Sequence, residues 1–440
     1  MEIFVLFAGF FALVLVGAPI AVALGGSVVI ASTLFTPIIP AVFGQKVYAN
    51  LHHFTLMAVP FFFFAAAFME SGGLVRRLVG LANALVGHLR GGLGMTSVLS
   101  CIFFASISGS SPATVAAIGN MMYPALVKEG YSERYAIGAL ATAGSIGILI
   151  PPSIPLVLYG FVTETSIPDL FIAGIVPGIL YGGAMLLAAR FFARKEKYVL
   201  RERLDWPARL DAVRWSLPAL CLPLFIIVGI YGFPEFDLGG THFAGGAIFT
   251  PTEAAVMASA LALLIGFFLY RELKLRDIPK AFVHAGARVG MIFWITANAL
   301  LFGFFITKLG VPKMVTEAVV AMELSRVEFL LVINLFLIIV GFFLEGVPTI
   351  LIFVPILFPA AQAVGIDPVH FGIIVVVNIE LGLVTPPVGL NLFVGSAVSG
   401  LPVLSVFRAT IPWMVATILT LLLVTYVPEI SLFLPSRMNL

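Results

Sequence analysis

The chain has 440 residues, a formal net charge of +2, 61% hydrophobic and 10% charged residues, and a mean hydropathy of +1.12. Soluble globular chains carry roughly 25% charged residues, so this composition excludes a water-soluble domain and makes the bilayer the solvent of the fold. The net charge says little by itself, and no nucleic-acid partner is expected.

In chain order, spans are sought as runs of about 20 apolar residues. The run from Ile3 to about Leu34 lacks a basic leader and is too long for a signal-peptide core, which predicts a retained first span near 5–33. A second span is predicted at 54–71; within it Phe61 to Phe64 are read as lipid-facing or core residues. Residues 93–127 form two short apolar arms around Ser108-Gly109-Ser110-Ser111-Pro112, and each arm is too short to cross comfortably, so the pair reads as a re-entrant hairpin. Residues 134–163 contain Gly147 to Gly160, GILIPPSIPLVLYG, where paired prolines delete two backbone donors and predict a broken helix. Spans follow at 170–192, 215–232, 251–270, 289–309 and 409–428; Gly174, Gly178 and Gly182 in the first of these read as a helix-packing stripe. A second hairpin is predicted at 327–364 around Glu345-Gly346-Val347-Pro348-Thr349, and a second broken helix at 371–400, where Gly382 to Gly395 reads GLVTPPVGLNLFVG.

Basic residues orient this scheme. Arg190, Arg194, Lys195, Lys197, Arg201, Arg203, Arg209 and Arg214 crowd one connector, which the positive-inside rule places in the cytoplasm. The connector 233–249 holds Glu235 and Asp237 but no Lys or Arg and is expected on the other side. Residues 271–288, with Arg271, Lys274, Arg276, Lys280 and Arg288, return to the cytoplasm and suggest an interfacial helix. Counting spans puts the N-terminus in the cytoplasm and the C-terminus opposite it.

The Pro-Pro motif recurs 235 positions apart, and Pro348 follows Pro112 by 236. The expected fold is therefore an all-α polytopic membrane protein of two inverted repeats. The repeats are 1–192 and 233–440, with 193–232 as the basic connector and linking span.

Three runs carry a family resemblance: Ser108 to Gly119 (SGSSPATVAAIG), Thr250 to Ala255 (TPTEAA) and Glu380 to Asn391 (ELGLVTPPVGLN). Together they resemble the large membrane subunit of tripartite ATP-independent periplasmic (TRAP) transporters over nearly the whole chain. The resemblance implies a sodium-driven elevator carrier in a bacterial inner membrane that takes up an organic acid such as sialic acid or a dicarboxylate. It also implies a small four-span membrane subunit and a soluble periplasmic substrate-binding protein as partners. No additional four-helix block precedes the first span, so the small subunit is expected as a separate chain.

The residues support cation and anion chemistry independently. An unwound helix leaves carbonyls pointing into the gap, and sodium takes oxygen ligands. Ser106, Ser108 and Gly109 are placed facing Gly144, Gly147, Ile150 and Pro152 as one sodium site; Gly341 and Gly346 are placed facing Thr385, Val388 and Asn391 as another. Between them the hairpin tips present helix N-termini, whose free amides favour a carboxylate. Ser110, Ser111, Pro112, Thr114, Pro348, Thr349 and Asn391 are the expected substrate contacts. Glu345 and Glu380 align with Ser110 and Ser145 at the 235 offset; as carboxylates at membrane depth they are expected to tune the second cation site, to carry protons or to satisfy a helix end.

The six histidines lie without a carboxylate or cysteine at ligand spacing, Cys101 and Cys221 lie in apolar segments as inert thiols, and no nucleophile-base pair appears. An enzyme is not expected. The remaining alternative is a self-sufficient ion-coupled carboxylate carrier that works without a binding protein.

Overall fold

The computed structural model describes residues 1–35, 40–232, 236–238, 241–243 and 246–438. These residues are overwhelmingly α-helical, with one short antiparallel strand pair, Phe236–Leu238 and Thr241–Phe243. That pair lies in the connector 233–249, much of which falls outside the described residues, Glu235 included.

Seven described helices are long and apolar enough to cross a bilayer: Phe54–Ser71, Ile167–Lys195, Trp206–Tyr231, Pro251–Leu269, Ile278–Lys308, Gly346–Ala363 and Val403–Tyr426. Large apolar side chains such as Leu187, Phe268 and Val283 are exposed, as lipid contact requires. The chain is a multi-pass membrane protein.

Two expectations are corrected. The run 5–33 is not one span but two helices, Glu2–Leu15 and Ile20–Phe35. Gly17 adopts a left-handed φ of 87° between them and Pro19 cannot continue the first helix, so the chain folds back until Gly9 packs beside Ser27. The basic segment 271–288 is likewise not a separate interfacial helix. Its second half is the start of Ile278–Lys308, whose 31 residues reach about 46 Å at 1.5 Å per residue, well beyond a hydrocarbon core of about 30 Å. Pro279 opens that helix and no further proline interrupts it.

Both hairpins and both broken helices are present. The first hairpin is Gly92–Ser108 and Ser111–Lys128; the second is Arg326–Gly341 and Gly346–Ala363. The first broken helix is Glu133–Ala143, a 3-10 turn over Gly144–Ile148, and Ile154–Thr163; the second is Pro368–Leu383 and Leu390–Ser399. The bonds Pro151-Pro152 and Pro386-Pro387 are both cis.

The correspondence between halves runs deeper than the double proline. Pro124 and Pro359 lie inside the second arms of the two hairpins, and Pro177 and Pro412 lie inside the following spans, each pair 235 apart. Ser132 and Asp367, again 235 apart, cap the two broken helices by accepting from backbone amides of the first turn. Gly73 and Gly310 introduce short amphipathic helices, Leu74–Val86 and Val311–Ala321, ahead of each hairpin.

Basic stretches assigned to one side meet in space. Arg77 and Arg76 both bind Glu272, Arg77 at 2.6 Å; Arg201 reaches Glu129 at 2.6 Å; and Glu196 accepts from Ser132 N–H at 2.7 Å. Burial raises the Glu272 carboxyl, but hydrogen bonds and charge from Arg77 and Arg76 outweigh it and hold the group below the usual carboxylate range.

Candidate functional site

The two hairpin tips meet at one small cavity. Gly109, Ser110, Ser111 and Pro112 contribute one wall and Glu345, Gly346 and Val347 the other; Phe63 and Ile292 close the side. Ser110 is the N-cap of Ser111–Lys128 and Glu345 the N-cap of Gly346–Ala363, and neither side chain caps its own helix. Two 18-residue helices thus direct first-turn amides toward the same space, a positive field suited to an anion. The cavity is only about 40 Å³. It has room for water but not for an organic acid, for which pockets of about 300 Å³ or more are usual. Admission of a ligand requires the tips to part.

Each tip rests on a broken helix, and close backbone approach brings oxygens together there. Gly109 has a φ of 57°, and its α-carbon faces the Pro152 carbonyl so closely that a methyl group would sit 2.7 Å from that oxygen. Gly147 lies against the Ser110 carbonyl and the Thr114 hydroxyl. Ser108 Oγ is 2.9 Å from Thr114 Oγ1, and the Thr114 hydroxyl donates to the Ser110 carbonyl at 2.9 Å. Hydroxyl and carbonyl oxygens of this kind suit a hard cation. In the second half Gly341 and Gly382 touch backbone to backbone, and Val388 N–H donates to the Phe342 carbonyl at 3.0 Å.

The structure does not bring every expected residue to these contacts. The Ser106 hydroxyl donates to Phe103 of its own helix at 2.8 Å, Gly144 packs on Val115, and Ile150 packs on Gly178. The Thr385 hydroxyl turns back to the Leu381 carbonyl at 2.7 Å, and Gly346 meets Ile379. Among the substrate candidates, Ser110, Ser111 and Pro112 line the cavity, whereas Thr114 lies behind it. Pro348 is buried, and the Thr349 hydroxyl donates to the Glu345 carbonyl at 2.8 Å. Asn391 does not face the second hairpin. Its amide donates to Ser111 Oγ at 2.7 Å and to the Ala141 carbonyl at 3.2 Å, tying the second broken helix to the first half.

The cavity residues to which the sequence assigned no site role are apolar: Phe63, Ile148, Ile154, Pro155, Ile292, Val347, Ile379 and Leu383. Nothing in their local pattern separates them from other buried residues. The stripe Gly174, Gly178 and Gly182 packs on Leu149, Ile150 and Ile102, in keeping with a packing role.

A second, larger opening was not expected from the sequence, although the start of the TPTEAA run lines it. A cleft of about 820 Å³ lies between Lys46 and His53 on one side, Glu164 to Pro168 on another, and Thr250 to Thr252 with Thr307 on a third. Lys46 Nζ stands 4.5 Å from the Phe304 ring centroid, and no carboxylate lies within ion-pair distance of it among the described residues.

Paired hairpins and paired broken helices around a cavity between the hairpin tips make a polytopic α-helical membrane fold of the kind transporters use. The fold matches the solved structure of MtrF of Neisseria gonorrhoeae, titled as one of a class of antimetabolite efflux pumps, with a TM-score of 0.62 at 12% identity over 89% of this chain and 83% of that one. Residues 7–430 match the family described as the tripartite ATP-independent periplasmic transporter, DctM component, and the chain belongs to that family of TRAP large permease subunits. It is 43% identical over 417 residues to the C4-dicarboxylate TRAP transporter large permease protein DctM of Pseudomonas aeruginosa, covering 95% of this chain and 94% of that protein. It is 40% identical to the isethionate TRAP transporter permease protein DctMQ of Oleidesulfovibrio alaskensis, covering 97% of this chain and 65% of that longer one. These relatives are transport permeases, not enzymes.

Proposed function

We propose that this chain is the transport subunit of a sodium-coupled importer of organic acids, which receives its substrate from a periplasmic binding protein and works with a small four-span membrane subunit. The observation that carries the reading is the convergence of two hairpin N-termini on one cavity, each tip resting on a broken helix. Carboxylate is held by the amides of the tips; the oxygens around Ser108, Ser110, Thr114 and Pro152 hold one sodium ion, and the Gly341–Gly382 contact with Val388 frames the other. Likeness to a C4-dicarboxylate permease makes a dicarboxylate the first substrate to try.

The two hairpin-and-break units move together against the remaining spans in an elevator cycle, and the repeats are inverted across an inner membrane. With Arg76 and Arg77 in the cytoplasm, the helix Phe54–Ser71 begins at the periplasm. The fold-back of Glu2–Leu15 on Ile20–Phe35 then returns the N-terminus to the periplasmic side, opposite to the position a single first span implies. The C-terminus is periplasmic. The cleft beside Lys46 opens to the periplasm and serves as the entry vestibule.

The test is reconstitution. Proteoliposomes holding this chain, the small subunit and loaded binding protein should accumulate dicarboxylate under an inward sodium gradient, and omission of either partner should abolish accumulation. Sodium-driven uptake by the chain alone would favour a self-sufficient carrier instead.

A further inference from the structure

Away from the cavity, three spans reach the membrane boundary together. Phe54–Ser71 gives way to Gly72, Pro251–Leu269 stops at Tyr270, and Trp206–Tyr231 carries no charge after Arg214. Backbone contacts fix this corner. A methyl group on Gly72 would lie 2.9 Å from the Gly266 α-carbon, and the Glu272 and Leu273 amides both donate to the Gly266 carbonyl at 3.2 Å.

Arg76, Arg77, Trp215 and Glu272 line an open pocket of about 350 Å³ there, and no step of the proposed transport cycle uses it. Arg77 is its rigid part. Its guanidinium donates to the Gly73 carbonyl at 3.0 Å and to Glu272 at 2.6 Å, and it stands 3.9 Å from the Tyr270 ring centroid and 5.9 Å from that of Trp215. Tyr270 Oη donates in turn to the Trp215 carbonyl at 2.6 Å. Arg76 also binds Glu272, yet its side chain is 66% exposed, and that bond occupies one of five N–H donors.

Glu272 does not neutralise the place. The stretches 74–78, 210–215 and 270–277 that build the corner carry six Arg or Lys against three Asp or Glu. An anion is therefore favoured, and a phosphate suits two guanidinium forks better than a single carboxylate does, because it offers more acceptor oxygens. The flank identifies the kind of phosphate. Trp206–Tyr231 packs on Pro251–Leu264, and on the membrane side of the pocket these two spans expose Leu217, Leu264 and Phe268. A soluble anion gains nothing from such side chains, whereas a lipid lays its acyl chains on them, and Trp215 stands where an indole meets the headgroup layer.

We propose that this pocket binds the phosphate of an anionic phospholipid, with Arg76 and Arg77 as donors, Trp215 beside the headgroup and the acyl chains along Leu217, Leu264 and Phe268. The bound lipid joins the first turn of Leu74–Val86, the helix that leads into the first hairpin, to the two spans beside it.

The experiment is native mass spectrometry of the purified chain with phosphatidylglycerol and phosphatidylcholine as competing probes. The native chain should retain phosphatidylglycerol in preference, Arg76→Gln should lower that retention about 5-fold, and Lys195→Gln, an exposed cation outside the pocket, should leave it unchanged. Equal losses in the two variants would overturn the site in favour of diffuse attraction to a basic surface. Millimolar inorganic phosphate should not displace the lipid; displacement would make this a site for a free anion and overturn the lipid assignment. Hydrogen exchange of the native chain gives a check that needs no variant. Amides of 74–78 and 270–274 should exchange more slowly in phosphatidylglycerol vesicles than in phosphatidylcholine vesicles, and equal exchange there would refute the proposal. Neither readout involves sodium or the transported substrate, so failure here is distinguishable from failure of the transport reading.

Discussion

At the scale of single residues, side-chain direction separates a hydroxyl that touches the site from one that serves its own helix. Ser106 and Ser108 are two positions apart in one apolar arm, yet Ser106 bonds back to Phe103 while Ser108 sits 2.9 Å from Thr114 and beside the Ser110 carbonyl. Thr114→Val should therefore weaken sodium activation more than Ser106→Ala. Loss of one buried oxygen is worth roughly 1 to 3 kcal/mol, or about 5- to 150-fold in affinity. Equal sodium titrations of dicarboxylate uptake in the two variants would show that neither hydroxyl binds the ion. Glu345 and Glu380 make the same contrast among acids, since one lines the cavity between the tips and the other is sealed from it.

At the scale of elements, the second hairpin is held by backbone rather than by side chains. A methyl group on Gly382 would lie 2.7 Å from the Gly341 α-carbon and 2.9 Å from its carbonyl oxygen, with no flexible side chain there to yield. Gly382→Ala should push the tip off its broken helix, destabilising the contact by about 1 to 3 kcal/mol. Uptake should fall while the complex still assembles, as judged by co-purification of the small subunit. Full uptake in that variant would mean the tip does not need this seat. The double prolines announced both breaks because a missing donor is a local property. Pro124 with Pro359 and Pro177 with Pro412 carried the same repeat, but each lies within an ordinary helix and signals nothing alone.

At the scale of the whole molecule charge is sparse, and Lys46 and Glu164 are the charged residues that line the large cleft. Lys46 faces the large cleft on the side away from the basic connector, and a carboxylate arriving there meets a cation without a carboxylate partner among the described residues. Lys46→Gln should raise the apparent KM for dicarboxylate about 5-fold, the equivalent of ~1 kcal/mol for one ion pair in water. Added salt should shrink the difference between variant and native chain. A KM that is unchanged at low salt would remove Lys46 from the route.

Composition, the re-entrant arms and the paired Pro-Pro breaks were all set by the sequence, because hydropathy over 20 residues and the loss of backbone donors act locally and leave a pattern that can be read in one dimension. The hairpin limits came within a few residues for the same reason: Gly92–Ser108 with Ser111–Lys128 against an expected 93–127. Tertiary structure decided what depends on two distant segments sharing a space. It folded 5–33 into two helices, because Gly17 allows a reversal that packing of Gly9 on Ser27 then rewards. It turned Asn391 onto Ser111 across the two halves, chose Phe63 and Ile292 as cavity walls, and buried Glu380 without a partner. Direction around a helix is fixed by what the neighbouring helix offers, and in a chain that is apolar on nearly every face no amphipathic pattern records that choice.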